Sequence, residues 1–300
     1  MKASLLKMDE RGIGYRSLET LGQYTGEPFR FVLNTNDLRP AYQRKRLLPP
    51  VHSTALLTEV ESLLNAAGLI RPSQSPVAAN PLVVMKKDGT ARVVIDFRYL
   101  NQLTVPDRYP LPSIPGMFHY FMVERKANIF TSLDLARGFN QLPIHEDDCY
   151  LTAFHTPLGL MEYVRMPFGV RNGPPSFQRR MEMTLKNTPQ AAVFIDDAIC
   201  GTNIKELKFK PLIPSPLDED GIATGPMRLE PLSEGWDIQP HLDELEPVLM
   251  NLLKDGWRIR WSKSKWGHYV LPALGHYISG VGIQPMVDKV RAIVKMPRPV

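Results

Sequence analysis

A mixed fold of helices and antiparallel β-hairpins is what this chain predicts, on three observations. Leu56, Val60, Leu63, Leu64 and Ala67 recur at helical spacing, behind a capping Ser53 and before a stopping Gly68. The apolar run Pro81–Met85 and the run Arg92–Phe97 flank Lys86-Lys87-Asp88-Gly89-Thr90, and an Asp-Gly turn between two such runs makes a hairpin. Ala191–Ile195 and Ala198–Cys200 are apolar runs parted only by Asp196 and Asp197, a hairpin with acids at its tip.

The bulk properties narrow the class of protein. Of the 300 residues, 43% are hydrophobic, enough for a real core and too many for wholesale disorder. A formal charge of +5 leans towards an anionic partner without identifying one. Two cysteines, Cys149 and Cys200, are too few for a disulfide framework or a Cys-rich zinc site and read as reduced thiols. Seven histidines are scattered without metal-ligand spacing. Met1–Gly12 has no signal-peptide core, and no stretch approaches the roughly 20 apolar residues of a membrane span. The expectation is a soluble, intracellular protein with no membrane partner.

The remaining elements follow in order. Residues up to Leu38 carry no pattern that converts into chemistry. Val105–Pro115 is too proline-rich for regular helix or central strand. Ile129–Asp134 is a strand that leads into Leu135-Ala-Arg-Gly-Phe-Asn-Gln141. A helix opens at Pro174-Pro175, places Phe177, Met181 and Leu185 on one face, and is closed by Pro189. From Gly201 to Pro240 the chain is polar and aperiodic, a long loop or insertion. Leu242–Leu253 restores a helix, closed near Gly256. Leu274–Gly280 is a further hairpin, and Met286–Met296 begins another helix.

The acids carry the chemistry. Asp196 and Asp197 alone are ordinary turn residues, since Asp bonds its own backbone in turns. Yet two adjacent carboxylates at a tight tip repel each other unless a cation compensates, and magnesium takes carboxylate oxygens. Asp134 ends an apolar strand, where a charge faces the edge of a buried sheet. If that strand lies beside the hairpin, three carboxylates converge. They then suit two ions about 3.5–4 Å apart, which activate an attacking hydroxyl and steady a departing phosphate.

The motif set is more specific than the acids. Phe194-Ile-Asp-Asp197 resembles the aromatic-x-Asp-Asp box of reverse transcriptases, and Leu133–Gln141 resembles the Leu-Asp-Leu motif of Ty3/gypsy-type LTR retrotransposons. Leu69–Pro76, Met85–Gly89, Val94–Asn101 and Tyr109–Pro112 are similar to family blocks and stand in family order. So are Thr152–Pro157, Met166–Gly169, Pro175–Gln178 and Leu274–His276.

That resemblance implies an α+β, right-hand polymerase fold that extends a primer with deoxynucleotides on an RNA or DNA template. It implies fingers at 39–105 and 142–172 and palm at 106–141 and 173–283, with 201–240 as an insertion. Residues 1–38 are a flank of unclear role, and 284–300 are the start of a thumb that is otherwise missing. Asp134, Asp196 and Asp197 match the catalytic acids, which hold two Mg2+ ions (or Mn2+) with help from the Leu135 carbonyl. Lys86 or Lys87 and Arg92 match the basic residues that embrace the triphosphate, although without the resemblance they read as a solvated turn. Phe139 matches the ring beneath the nucleotide sugar, where it excludes a 2′-hydroxyl, and otherwise reads as core. Phe168 and Gly169 match the loop that lines the nucleotide pocket, with Gln178 on the helix behind it; Leu274, Gly275 and His276 match the primer grip.

Phe194 stands where tyrosine is more usual, and the 201–240 segment is longer than most relatives carry. The implied setting is cytoplasmic, with the nucleus open, and the implied partners are primer-template, deoxynucleoside triphosphates and the rest of a polyprotein. An inactive remnant that only binds nucleic acid is the alternative from another class. An untemplated nucleotidyl transferase would fit the acids but not the fingers and primer-grip blocks.

Overall fold

The computed structural model describes residues 9–85, 91–210, 213–219, 222–232 and 236–296. Helix α1 spans Pro50–Ala67, and so starts earlier than Ser53. Pro50 sits in the first turn, where a missing amide proton loses no bond, and the Ser53 amide already bonds Pro49 O. The helix buries Leu56, Val60 and Leu63 and stops at Gly68, whose φ of 53° is the left-handed cap the sequence suggests. Strand β1 is Ile70–Pro72. Strands β2 (Pro81–Met85) and β3 (Ala91–Ile95) pair antiparallel from Pro81↔Ile95 to Met85↔Ala91, as their turn chemistry requires. The turn itself, with Lys86 and Lys87, lies outside the described residues.

Helix α2 is Arg98–Leu103. Helix α3 (Ile114–His119) opens inside the proline-rich stretch, with Pro115 in its first turn and Ser113 Oγ accepting from Gly116 N, then runs into a π turn at Tyr120–Glu124. Strand β4 is Ile129–Asp134, as expected. Strands β5 (Phe154–Thr156) and β6 (Gly159–Tyr163) form a three-stranded sheet with β1, in the order β1-β6-β5. Helix α4 (Gly173–Thr184) starts at Pro174-Pro175 but stops short of Pro189. Strands β7 (Ala191–Phe194) and β8 (Asp197–Thr202) are the acid-tipped hairpin. Helix α5 spans Gln239–Lys254, followed by β9 (Lys265–His268). The expected hairpin near Leu274 is a three-stranded meander of β10 (Val270–Ala273), β11 (His276–Ser279) and β12 (Gly282–Pro285). Helix α6 is Val287–Val294.

The centre is the four-stranded antiparallel sheet β7-β8-β4-β9, covered on both faces. Alternation along a strand sends Leu133, Ala198 and Cys200 to one face, into the cluster with Phe177 and Met181 of α4 and Leu245, Val248 and Leu252 of α5. It sends Phe130 and Ile199 to the other, against Phe118 and Phe121 and the meander residues Leu271 and Ile278. Both cysteines are buried free thiols. Among the described residues, no helix is long and apolar enough to cross a membrane.

Two segments that the sequence leaves formless have structure. Residues 9–38 are a strap that inserts Ile13, Tyr24, Phe29 and Phe31 into the core. Its amides reach across the fold, Tyr15 N to Ile259 O, Tyr24 N to Gln141 O and Phe29 N to Pro143 O, each at 2.8 Å. Between β8 and α5, the described residues of the 201–240 segment form an irregular hairpin arm with bridges at Phe209↔Pro231, Ile213↔Arg228 and Leu217↔Ala223. It docks on the last elements, where Asp218 pairs with Arg291 of α6 at 2.8 Å and Met227 N donates to Gln284 Oε1 of β12 at 3.1 Å.

Candidate active site

Strand β4 ends on Asp134 and β8 begins on Asp197, and the register pairs these two residues directly. Directly opposed residues on antiparallel strands project to the same face, with Cβ atoms roughly 4.5–5.5 Å apart. That face also carries Phe130 and Ile199 and looks towards the meander. Because Phe194 pairs with Asp197, the hairpin closes over only Ile195 and Asp196. Ile195 has φ of 56°, a left-handed backbone that a β-branched residue adopts only under strain. Asp196, next to it, is exposed at the tip.

Among the described residues, none of the three carboxylates takes part in an ion pair or a side-chain hydrogen bond. Burial raises the Asp134 carboxyl above the usual range; Asp196 adds to the rise, while Arg260 and Lys263 oppose it. Burial also raises Asp197, helped by Asp196 and Asp134 and opposed by Lys265. The three acids therefore feel one another. The donor chemistry suits a hard divalent cation, which prefers carboxylate oxygens. The arrangement is not a closed cage: no group of three His, Cys, Asp or Glu stands at metal-holding spacing among the described residues. Repulsion between like charges opposes further closure without a cation. The Leu135 carbonyl, a further candidate oxygen, accepts from Gly138 N at 3.2 Å and keeps a second lone pair.

Sequence reasoning passed over the turn beside Asp134. Ser264 Oγ accepts from Asp134 N at 3.1 Å and donates to Arg260 O at 3.0 Å, while Arg260 N donates to Asp134 O at 2.8 Å. This pins the end of β4 and keeps Arg260 and Lys263 close to the acid. The available signal was the density of base in Arg258, Arg260, Lys263 and Lys265 between a helix and a hairpin.

The other candidates fall into three places. Arg92 and Phe168 line a pocket of about 160 Å3 between α1, β3 and the 137–140 turn, with Glu59, Arg137, Asn140 and Tyr163, none of which the sequence singled out for a site. Gly169 follows at φ of 93°, its carbonyl accepting from Asn101 Nδ2 at 2.8 Å. Phe139 packs between the rings of Phe168 (5.0 Å) and Phe177 (5.1 Å) and is 9% exposed. Gln178 is fully buried and turned to the acid-tipped hairpin, with its amide occupied by protein groups. Leu274 and Gly275 are the two-residue turn between β10 and β11, both with positive φ, as such a hairpin requires. His276 Nδ1 lies 3.0 Å from Leu274 O, and its ring meets Phe118 edge-on.

An antiparallel sheet with helices on one face, a meander on the other and acids at the strand ends defines a right-hand polymerase fold. The fold is shared with a foamy viral protease-reverse transcriptase solved in complex with double-stranded DNA, at TM-score 0.75 and 22% identity, over 99% of this chain and 45% of that one. A native prototype foamy virus protease-reverse transcriptase matches at TM-score 0.68 and 23% identity, over 92% of this chain and 32% of that one. A family model described as "Reverse transcriptase (RNA-dependent DNA polymerase)" matches residues 84–278, and the chain belongs to that family. Its relatives place it with Ty3/gypsy-type elements. The retrovirus-related Pol polyprotein from transposon 297 of Drosophila melanogaster is 33% identical over 90% of this chain. That from transposon gypsy of the same organism is 32% identical over 89% of this chain. The transposon Tf2-3 polyprotein of Schizosaccharomyces pombe is 26% identical over 84%. The chain spans 23% of the length of each of the two Drosophila polyproteins and 16% of the yeast one.

Proposed function

We propose that this chain is the fingers and palm of a retroelement reverse transcriptase and adds deoxynucleotides to a primer 3′-hydroxyl on a nucleic-acid template. The observation that carries the reading is the direct pairing of Asp134 with Asp197 at the strand ends, with Asp196 at the adjoining tip and, among the described residues, no ion pair or side-chain hydrogen bond to any of the three. Fingers at 39–105 and 142–172 would bring Arg92, Phe168 and Gly169 to the nucleotide. Palm at 106–141 and 173–283 would carry the acids and, through Leu274–His276, the primer end.

Asp134, Asp196 and Asp197 are the residues that would hold two Mg2+ ions, with the Leu135 carbonyl as a further oxygen. Such ions supply charge neutralisation at the phosphate and a more acidic attacking hydroxyl. The chain's own part is positioning, as phosphoryl transfer generally demands. Ser264 and Arg260 fix the end of β4 so that Asp134 meets Asp197 without searching. Phe139, wedged between Phe168 and Phe177, presents a ring that cannot step aside, which suits it to exclude a ribose 2′-hydroxyl. The bond formed joins the primer oxygen to the α-phosphorus, and the bond broken releases pyrophosphate.

The test is labelled deoxynucleotide incorporation on a primed RNA template with magnesium, comparing the chain with its Asp196→Asn, Asp197→Asn double variant. Incorporation by the first and none by the second is the expected result. Silence in both, with primer-template bound equally, would favour a chain that binds nucleic acid without copying it.

A further inference from the structure

Gln178 is fully buried on α4, yet each polar atom of its side chain has a partner. Oε1 accepts from Ile195 N at 2.6 Å, and Nε2 donates to Val193 O at 2.9 Å and to Glu182 Oε1 at 2.8 Å. One amide therefore grips the entry to the acid-tipped turn at two points, the Val193 carbonyl before it and the Ile195 N–H within it. Its orientation is set by chemistry, because two acceptors face one end and a donor faces the other. Glu182 stands one helical turn along α4, and its second oxygen accepts from the hydroxyl of Tyr109. The Arg179 guanidinium lies over the Tyr109 ring at 4.6 Å and pairs with Asp107 at 2.9 Å. A continuous chain of contacts thus runs from the proline-rich segment through α4 to the residue next to Asp196.

Ile195 needs such a hold. Its φ of 56° is one that a β-branched side chain disfavours, so an unheld tip would relax towards other backbone shapes. Relaxation there would swing Asp196, whose carboxylate has no ion pair or side-chain hydrogen bond among the described residues to keep it in place. We propose that Gln178 is the positioning residue for Asp196, holding Ile195 in its left-handed conformation, with Glu182 and Tyr109 fixing the amide. The inference rests on the polymerase reading above, and it assigns Gln178 a place behind the acids rather than against the nucleotide.

The experiment uses the full chain with Gln178→Leu, and with Gln178→Leu combined with Ile195→Gly. Glycine adopts a positive φ without strain, so it should supply the turn that the amide otherwise enforces. Mn2+ binding is followed by the EPR signal of the free ion, beside single-turnover incorporation, primer-template affinity and thermal melting. Gln178→Leu should lower both Mn2+ affinity and incorporation rate by roughly 10–100-fold, the usual cost of removing a group that orients a ligand. Primer-template affinity should stay unchanged, and Ile195→Gly should recover most of both losses. Unchanged Mn2+ affinity and rate in Gln178→Leu would overturn the proposal. So would losses that Ile195→Gly does not recover, which would mark Gln178 as core packing. A wild-type chain that neither binds Mn2+ nor incorporates would remove the polymerase reading and this inference together. A wild-type chain that does both isolates the inference.

Discussion

Asp197→Asn should stabilise the metal-free protein while abolishing its chemistry. Asp197 lies directly opposite Asp134, and opposed residues stand about 5 Å apart. At that distance two negative charges repel by about 3 kcal/mol at an effective dielectric constant near 20 and by about 1 kcal/mol in water. Asp134 is only half-buried, and Lys265 offsets part of the penalty, so the lower end, about 1 kcal/mol, is the expected gain. Among the described residues neither carboxylate makes a hydrogen bond that the change would lose, and asparagine keeps the shape. For a chain of this size that gain is roughly 1–2 °C in melting temperature.

The sign with pH follows from the raised carboxyl groups. Both acids hold protons more tightly in the folded state than in the unfolded one, so stability from this pair is fullest at low pH and falls as pH rises through their folded range. The advantage of Asp197→Asn should therefore be present at neutral pH and fade as pH falls below the unfolded carboxyl pKa of about 3.9, where both folded and unfolded carboxyls take up protons. Thermal melts in EDTA and in MgCl2 at both pH values test this. Magnesium should raise the wild-type melting temperature and leave the variant nearly unmoved. An Asn variant less stable than wild type in EDTA, or an advantage that persists at low pH, would refute the charge-repulsion account.

Further expectations concern the shell around the acids. Phe139→Val should raise ribonucleotide incorporation relative to deoxynucleotide, measured as the ratio of kcat/KM values, and cost about 1–3 kcal/mol because the ring bridges Phe168 and Phe177. Gly201→Ala should destabilise by about 1–3 kcal/mol in urea denaturation, since an added Cβ would stand 2.7 Å from Phe121 and 3.0 Å from Ala127 in a fully packed strand. His241, buried between Thr131 and Thr202, is pushed down to a pKa of about 4 by burial. It contributes stability above its unfolded pKa near 6.5 that is lost as pH falls towards 4, so His241→Gln should flatten the acid limb of the stability curve by up to roughly 3 kcal/mol.

The parts of the fold legible in the sequence were those whose signal is local. The stop of α1 at Gly68, the strand Ile129–Asp134 and the acid-tipped hairpin each announce themselves within a few residues. The start of α1 was misplaced because Ser53 is a good cap in isolation, while Pro50 is an equally good first-turn residue. Residues 9–38 were illegible because their bonds go to Gln141, Pro143 and Ile259, far away in the chain, and no periodicity marks a strap that crosses elements one amide at a time. The 201–240 arm hid for a related reason: its pairing is broken bridge by bridge, with Pro214, Pro216 and Pro226 interrupting any ladder. At the site, residue types singled out three acids whose strand ends the register brings together, but not the grip of Gln178 on the turn, which depends on an inward-facing amide of α4.

The strap also sets the size of the unit that can fold. The family match begins at residue 84, yet Ile13, Tyr24, Phe29 and Phe31 lie in the same apolar cluster as Phe177 and Trp257. A fragment cut to the chemistry would open four holes in that cluster and strand the amide acceptors on Gln141, Pro143 and Ile259. Trimming at the first long helix would do the same. Recombinant boundaries, and any protease acting on a longer precursor, are therefore constrained to fall upstream of Ile13. The stretch that the family model matches and the stretch that holds the core together are different, and the second is the longer.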